Sequence, residues 1–119
     1  AHHTQSHDSS RLYVAVRADL PVGLQMAQSV HAAFSFADEH PAVAHAWHRD
    51  SQFLVVVNVP DETALLALAQ TAIGLGVKVS IWHEPDVDGE ATAIALAPVA
   101  ASKALCSSLP LAGREKVPV

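Results

Sequence analysis

The chain has 119 residues, half of them hydrophobic, which supports one compact domain with one core and excludes a multidomain layout. Acidic residues outnumber basic ones by twelve to seven, for a formal charge of −5 with histidines neutral. The basic residues are scattered, which weighs against affinity resting on a dense row of phosphate contacts. A single Cys106 excludes an internal disulfide framework, and no apolar run approaches the ~20 residues of a membrane span.

Residues 1–10, Ala-His-His-Thr-Gln-Ser-His-Asp-Ser-Ser, lack the apolar core of a signal peptide and read as a disordered polar tail. Leu12 to Val16 is a short apolar run rich in β-formers and predicts a buried strand. Pro21 suits the first turn of a helix. From Val22 to about Asp38, Leu24, Ala27, Val30, Ala33, Phe34 and Ala37 recur at helical spacing as an apolar stripe. Pro41 ends that helix, and Pro41 to Asp50 reads as a connection or short helical turn.

Phe53-Leu-Val-Val-Val-Asn-Val59 is apolar almost throughout and is therefore expected at the centre of a sheet. Asp61 is a good cap for a helix from Glu62 to Leu75, with Gly74 and Gly76 closing it. Val77 to Trp82 predicts the third strand and Ala91 to Ala97 the fourth, with Pro98 after it. A last helix runs from about Ala100 to Ser107. The segment 110–119 reads as a flexible tail.

The resulting order is β-α-β-α-β-β-α over residues 11–109. Right-handed crossovers make the first three strands mutually parallel. The link between the third and fourth strands is too short for a helical crossover, so that pair is an antiparallel hairpin. The expected fold is a single-domain, three-layer α/β sandwich with a mixed four-stranded sheet.

Parallel strands put their carboxyl ends on one edge of the sheet, where open α/β folds bind their ligands. Arg17 and Asp19 follow the first strand, and His83, Glu84 and Asp86 follow the third. Gln28 and His31 sit one turn apart on the first helix, and Thr92 lies near the start of the fourth strand. These eight residues converge on one candidate cleft. A carboxylate near an imidazole can run general acid–base chemistry, although a strand-end charge taken alone is ordinarily a solvated turn residue. Metal chemistry at His83, Glu84 and His31 lacks a ligand motif, and His40, His45 and His48 read as loop histidines. No Gly-x-Ser-x-Gly elbow, phosphate loop or Gly-x-Gly-x-x-Gly pattern occurs.

Four stretches carry a further signal: Val16-Arg17-x-Asp19-Leu20, Ala27-Gln28-Ser-Val-His31-Ala-Ala, Val59-Pro-Asp61-Glu62 leading to Leu75-Gly76, and Thr92-Ala-Ile-Ala-Leu-Ala-Pro98. In order and spacing they resemble the type 2 peptidyl-tRNA hydrolases. The resemblance implies a cytoplasmic, often dimeric enzyme that needs no cofactor or metal and cleaves the ester joining a peptide to tRNA. It implies catalytic positions at Gln28, His31 and Glu84, with Asp86 as the alternative carboxylate; Arg17, Asp19, His83 and Thr92, the other residues of the cleft, are expected to contact substrate. The chain departs from the family pattern at Leu24, where that family carries a lysine. It departs again at His83-Glu84-Pro85-Asp86, which replaces an Asp-Ala-Gly-x-Thr-Gln stretch. A binding or regulatory module without turnover is the alternative these departures leave open.

Overall fold

The computed structural model describes residues 10–114. Its elements are β1 (Arg11–Arg17), α1 (Val22–Glu39), α2 (Pro41–Arg49), β2 (Phe53–Val59), α3 (Glu62–Gly74), β3 (Val79–Glu84), a 3-10 turn at Pro85–Val87, β4 (Glu90–Leu96) and α4 (Ala100–Cys106). The order is the expected one with an extra helix. Pro41 opens α2 at its first turn, where a missing N–H costs nothing, so the proline that stops α1 starts a second helix and not a loop.

The four strands form one mixed sheet in the order β2-β1-β4-β3. β1 and β2 are parallel, and β4 runs antiparallel to both β1 and β3. β1, β2 and β3 therefore point the same way, and their carboxyl ends share an edge. The burial centre is β1 and β4: every residue of β4 from Ala91 to Leu96 is buried.

Two expectations are corrected here. β2 is an edge strand and not a central one, because β4 inserts between β1 and β3; its first residues, Phe53 and Leu54, are about half exposed. An apolar run reports burial of a strand's faces, not the number of its neighbours in the sheet. The outer flank of β2 is covered where the chain returns. Asn58 N–H donates to the Pro110 carbonyl (2.8 Å), and Ala112 N–H donates to the Val56 carbonyl (2.9 Å). The expected flexible tail is thus pinned at its start; residues 115–119, like 1–9, lie outside the described residues.

The second correction concerns the apolar stripe of α1. Its inward face is Gln25, Gln28, Ala32 and Phe36, whereas Val22, Met26, Val30 and Phe34 are exposed. Polar side chains take the inner face because they find partners there. α3 follows its sequence signals more closely. The Asp61 side chain accepts from Ala64 N–H (2.9 Å), and Gly76, at φ +81°, lets Val77 N–H reach back to the Ala72 carbonyl. Among the described residues no helix is long and apolar enough to cross a membrane.

The two phenylalanines of α1 separate the stripes. Phe36 is fully buried and Phe34 is 73% exposed. In urea unfolding of the dilute, monomeric chain, Phe36→Ala is expected to cost ~3–5 kcal/mol and Phe34→Ala less than ~0.5 kcal/mol.

Candidate functional site

Three elements bring a buried polar network to the carboxyl edge of the sheet. Thr92 of β4 donates its hydroxyl to Gln28 Oε1 of α1 at 2.6 Å, with both groups buried. Thr92 can do this because the ladder slips there: Trp82 pairs with Ala93 and His83 with Ala91, leaving Thr92 as the extra residue of a bulge. Bulges re-aim side chains in this way. With its oxygen accepting, the Gln28 amide turns its N–H groups toward Glu84.

Glu84 ends β3 and is only 7% exposed. Its Oε2 accepts from the Asp86 backbone N–H (3.1 Å), and its Oε1 accepts from Trp82 Nε1 (3.2 Å). The Asp86 N–H, then Trp82 and Gln28, with the nearby His31 charge adding, hold this carboxyl below the usual carboxylate range. His31 completes the group. Its ring lies flat on the Trp82 indole, with centroids 4.4 Å apart and planes 11° off parallel, and the residue is exposed.

Arg17 and Asp19 form a second cluster beside the first. The Arg17 guanidinium forks onto Asp19 with two 2.9 Å bonds, and Nη1 reaches Glu90 at 2.7 Å and the Ala91 carbonyl at 3.2 Å. Asp19 is held below its ordinary value by that guanidinium, and Arg17 is raised in turn. Glu62 accepts the Ala91 N–H at 2.8 Å, so Ala91 is clamped through both its backbone groups. The clamp fixes β4 one residue from Thr92. Arg17 thus directs its guanidinium to two carboxylates of the fold and to the Ala91 carbonyl.

A third set, Gln25 and Asn58, holds the entry to α1. Gln25 Nε2 donates to the Leu20 carbonyl (2.7 Å), and Asn58 Nδ2 donates to Gln25 Oε1 (2.9 Å). The expected site did not include Gln25, Asn58, Glu90 or Trp82. A signal existed for one of them: Asn58 is the polar exception in an apolar strand, and such a residue needs a buried partner.

Gln28, His31, Glu84 and Thr92 come together. The other expected residues sit around them differently. His83 is exposed, with Nδ1 3.1 Å from the Gly89 carbonyl in the hairpin, on the far side of the strand's alternation from Trp82 and Glu84. Asp86 supplies its backbone N–H to Glu84 while the residue itself is exposed. Among the described residues no three His, Cys, Asp or Glu side chains are grouped to hold a metal ion. Burial pushes the Cys106 thiol up to about 11, which leaves it protonated and inert near neutral pH.

The fold and site together define a small α/β domain with a polar site at the carboxyl edge of its parallel strands. A sequence profile of the family described as Peptidyl-tRNA hydrolase PTH2 matches residues 10–107, and the chain belongs to that family. Among solved structures it is similar to a protein of unknown function, Atu0240, from Agrobacterium tumefaciens strain C58. The two share 15% identity over 87% of this chain and 97% of that one, with a TM-score of 0.62, a likeness of fold. No curated protein sequence matches the chain.

Thr92→Val keeps the shape but leaves Gln28 Oε1 buried without its donor. It is expected to cost ~1–3 kcal/mol in urea unfolding. The depressed Glu84 carboxyl contributes stability above the ordinary glutamate value of about 4.3, lost as pH falls through its lower folded value. Unfolding midpoints measured from pH 6 down to pH 3 should therefore fall less steeply for Glu84→Gln than for the parent.

Proposed function

We propose that this protein hydrolyses the ester between a peptide and the 3′ ribose of tRNA, as a divergent, metal-independent peptidyl-tRNA hydrolase acting in the cytoplasm. The observation that carries the reading is the Thr92–Gln28–Glu84 network. A fold rarely assembles buried polar groups from three elements unless they bond to one another, and here the last of them reaches the surface as a carboxylate. Trp82 and Asp86 each donate to one oxygen of Glu84, with the Gln28 amide beside them, and the remaining acceptor capacity of the carboxylate is open to a water molecule. That water attacks the ester carbonyl, the C–O bond to the ribose breaks, and the water's proton ends on the ribose oxygen. A carboxylate this well solvated by donors is a weak base, so Glu84 orients the water more than it deprotonates it.

A second reading, a binding or regulatory module on the same fold, is favoured by two observations. Leu24 stands where the family has a lysine, so no cation meets the developing oxyanion there. The carboxyl edge also gathers Asp61, Glu62, Glu84, Asp86 and Glu90, a field that repels phosphate.

Hydrolysis of N-acetylphenylalanyl-tRNA by the purified protein tests both readings. Turnover is expected, falling ~100-fold or more in Glu84→Gln. Asp86→Ala keeps the backbone N–H and should lose less than ~threefold, the signature of a positioning amide and not a second acid. No turnover by the folded parent leaves the binding module.

The partner implied alongside tRNA is a second copy of the chain. The exposed ridge Val22-Met26-Val30-Phe34 lies beside an apolar groove of about 530 Å³ lined by Val14, Val16, Leu54 and Val56. A ridge next to a groove is self-complementary about a two-fold axis. The exposed side chains of Val22, Met26, Val30, Phe34 and Leu54 give this face the apolar surface such a pairing buries. Sedimentation is expected to give a dimer for the parent and a monomer for Val30→Glu.

A further inference from the structure

Water held at Glu84 uses the carboxylate but not the exposed ring of the aromatic pair beside it. Trp82 is tied at its Nε1 to Glu84, so its plane is fixed by the site itself. His31 covers that indole almost in parallel and, being exposed, turns its other face outward. The result is a two-ring stack built on the rim of the carboxylate pocket and open at its top. A stack of this kind is completed by a third planar ring.

We propose that the outer face of His31 is a platform for the nucleobase of the terminal nucleoside of the substrate. This rests on the reading of the site as one for a peptidyl ester of tRNA. Peptide side chains vary from substrate to substrate, whereas the alcohol half of the ester is always a nucleoside. One fixed aromatic anchor therefore suits the nucleoside. Base stacking on a side-chain ring is strong and carries no formal charge, so it holds the nucleoside at an acidic edge where phosphate contacts are unfavourable. With the base on His31, the attached ribose lies toward the rim where Trp82 meets Glu84, which brings the ester to the carboxylate. Trp82 acts through His31 as a positioning residue, and Glu84 holds both the indole and the water.

Adenosine, which has no ester to cleave, tests the platform apart from the chemistry. Titrated to millimolar concentration in an NMR experiment, it is expected to shift the Trp82 indole N–H and the His31 ring signals while leaving the Trp47 indole in place. His31→Ala should weaken binding roughly five- to hundredfold, and His31→Phe, which keeps a ring, should restore most of it. His31→Phe should keep the parent's unfolding midpoint, and His31→Ala, which loses the stack on Trp82, should remain folded with a slightly lower one; both midpoints are measured alongside. Three results overturn the platform: no shift at Trp82, binding unchanged in His31→Ala, or tighter binding by N-acetylphenylalanine amide than by adenosine at the same signals. Turnover of N-acetylphenylalanyl-tRNA without an adenosine shift at Trp82 rejects the platform and keeps the hydrolase. The shift without turnover does the reverse.

Discussion

The hydrogen bond from Thr92 to Gln28 is the constraint on which the site depends. Gln28 is 2% exposed and sits on the inward face of α1, where an unpaired amide would cost several kcal/mol. Its oxygen is satisfied by a hydroxyl that reaches it only because β4 bulges at Thr92. Once the oxygen accepts, the amide's donors are free for Glu84 and add to the Asp86 N–H and the Trp82 indole N–H, which chiefly hold that carboxyl ionised. The rotation of α1 and the slip in the ladder are two views of the one Thr92–Gln28 bond.

Around that network the fold spends its other polar groups on alignment. Arg17 and Glu62 clamp the two backbone groups of Ala91, and Gln25 with Asn58 ties the start of α1 to β1 and β2. Each clamp lies at the carboxyl edge, and each fixes one of the elements that carry Thr92 or Gln28. The site is thus held by rigid strands and a helix end, which suits a group that must position a small acceptor. The opposite consequence is on the outside of α1. Turning the amides inward forces Val22, Met26, Val30 and Phe34 outward, so the exposed ridge is the counterpart of the buried network.

Leu24, one turn before Gln28 on α1, brings no charge to the carboxylate. Its charge is balanced by amide, indole and backbone N–H dipoles and by the nearby imidazole. An anion held by neutral donors at an acidic edge is a poor seat for a polyanion, and the base-stacking contact proposed at His31 needs no charge.

The sequence by itself determined every strand and its direction, and every helix but α2, where a connection or short helical turn was expected. Hydrophobic runs, caps and link lengths are local, and Asp61, Gly76 and the short β3–β4 link each act through neighbours in the chain. Strand direction then put Gln28, His31, Glu84 and Thr92 on one edge, which is why the core of the site was legible. Tertiary structure alone decided what depended on partners far along the chain. The apolar content of Phe53–Val59 could not reveal that β4 would take the central place, because burial of two faces reads the same at an edge. The stripe of Val30 and Phe34 misdirected α1, because a buried glutamine is favourable only when a threonine 64 residues away completes its hydrogen bond. A bulge likewise leaves no local signature at Thr92. Periodicity records what each residue prefers, and the structure records which preferences were outbid by a bond the sequence could not see.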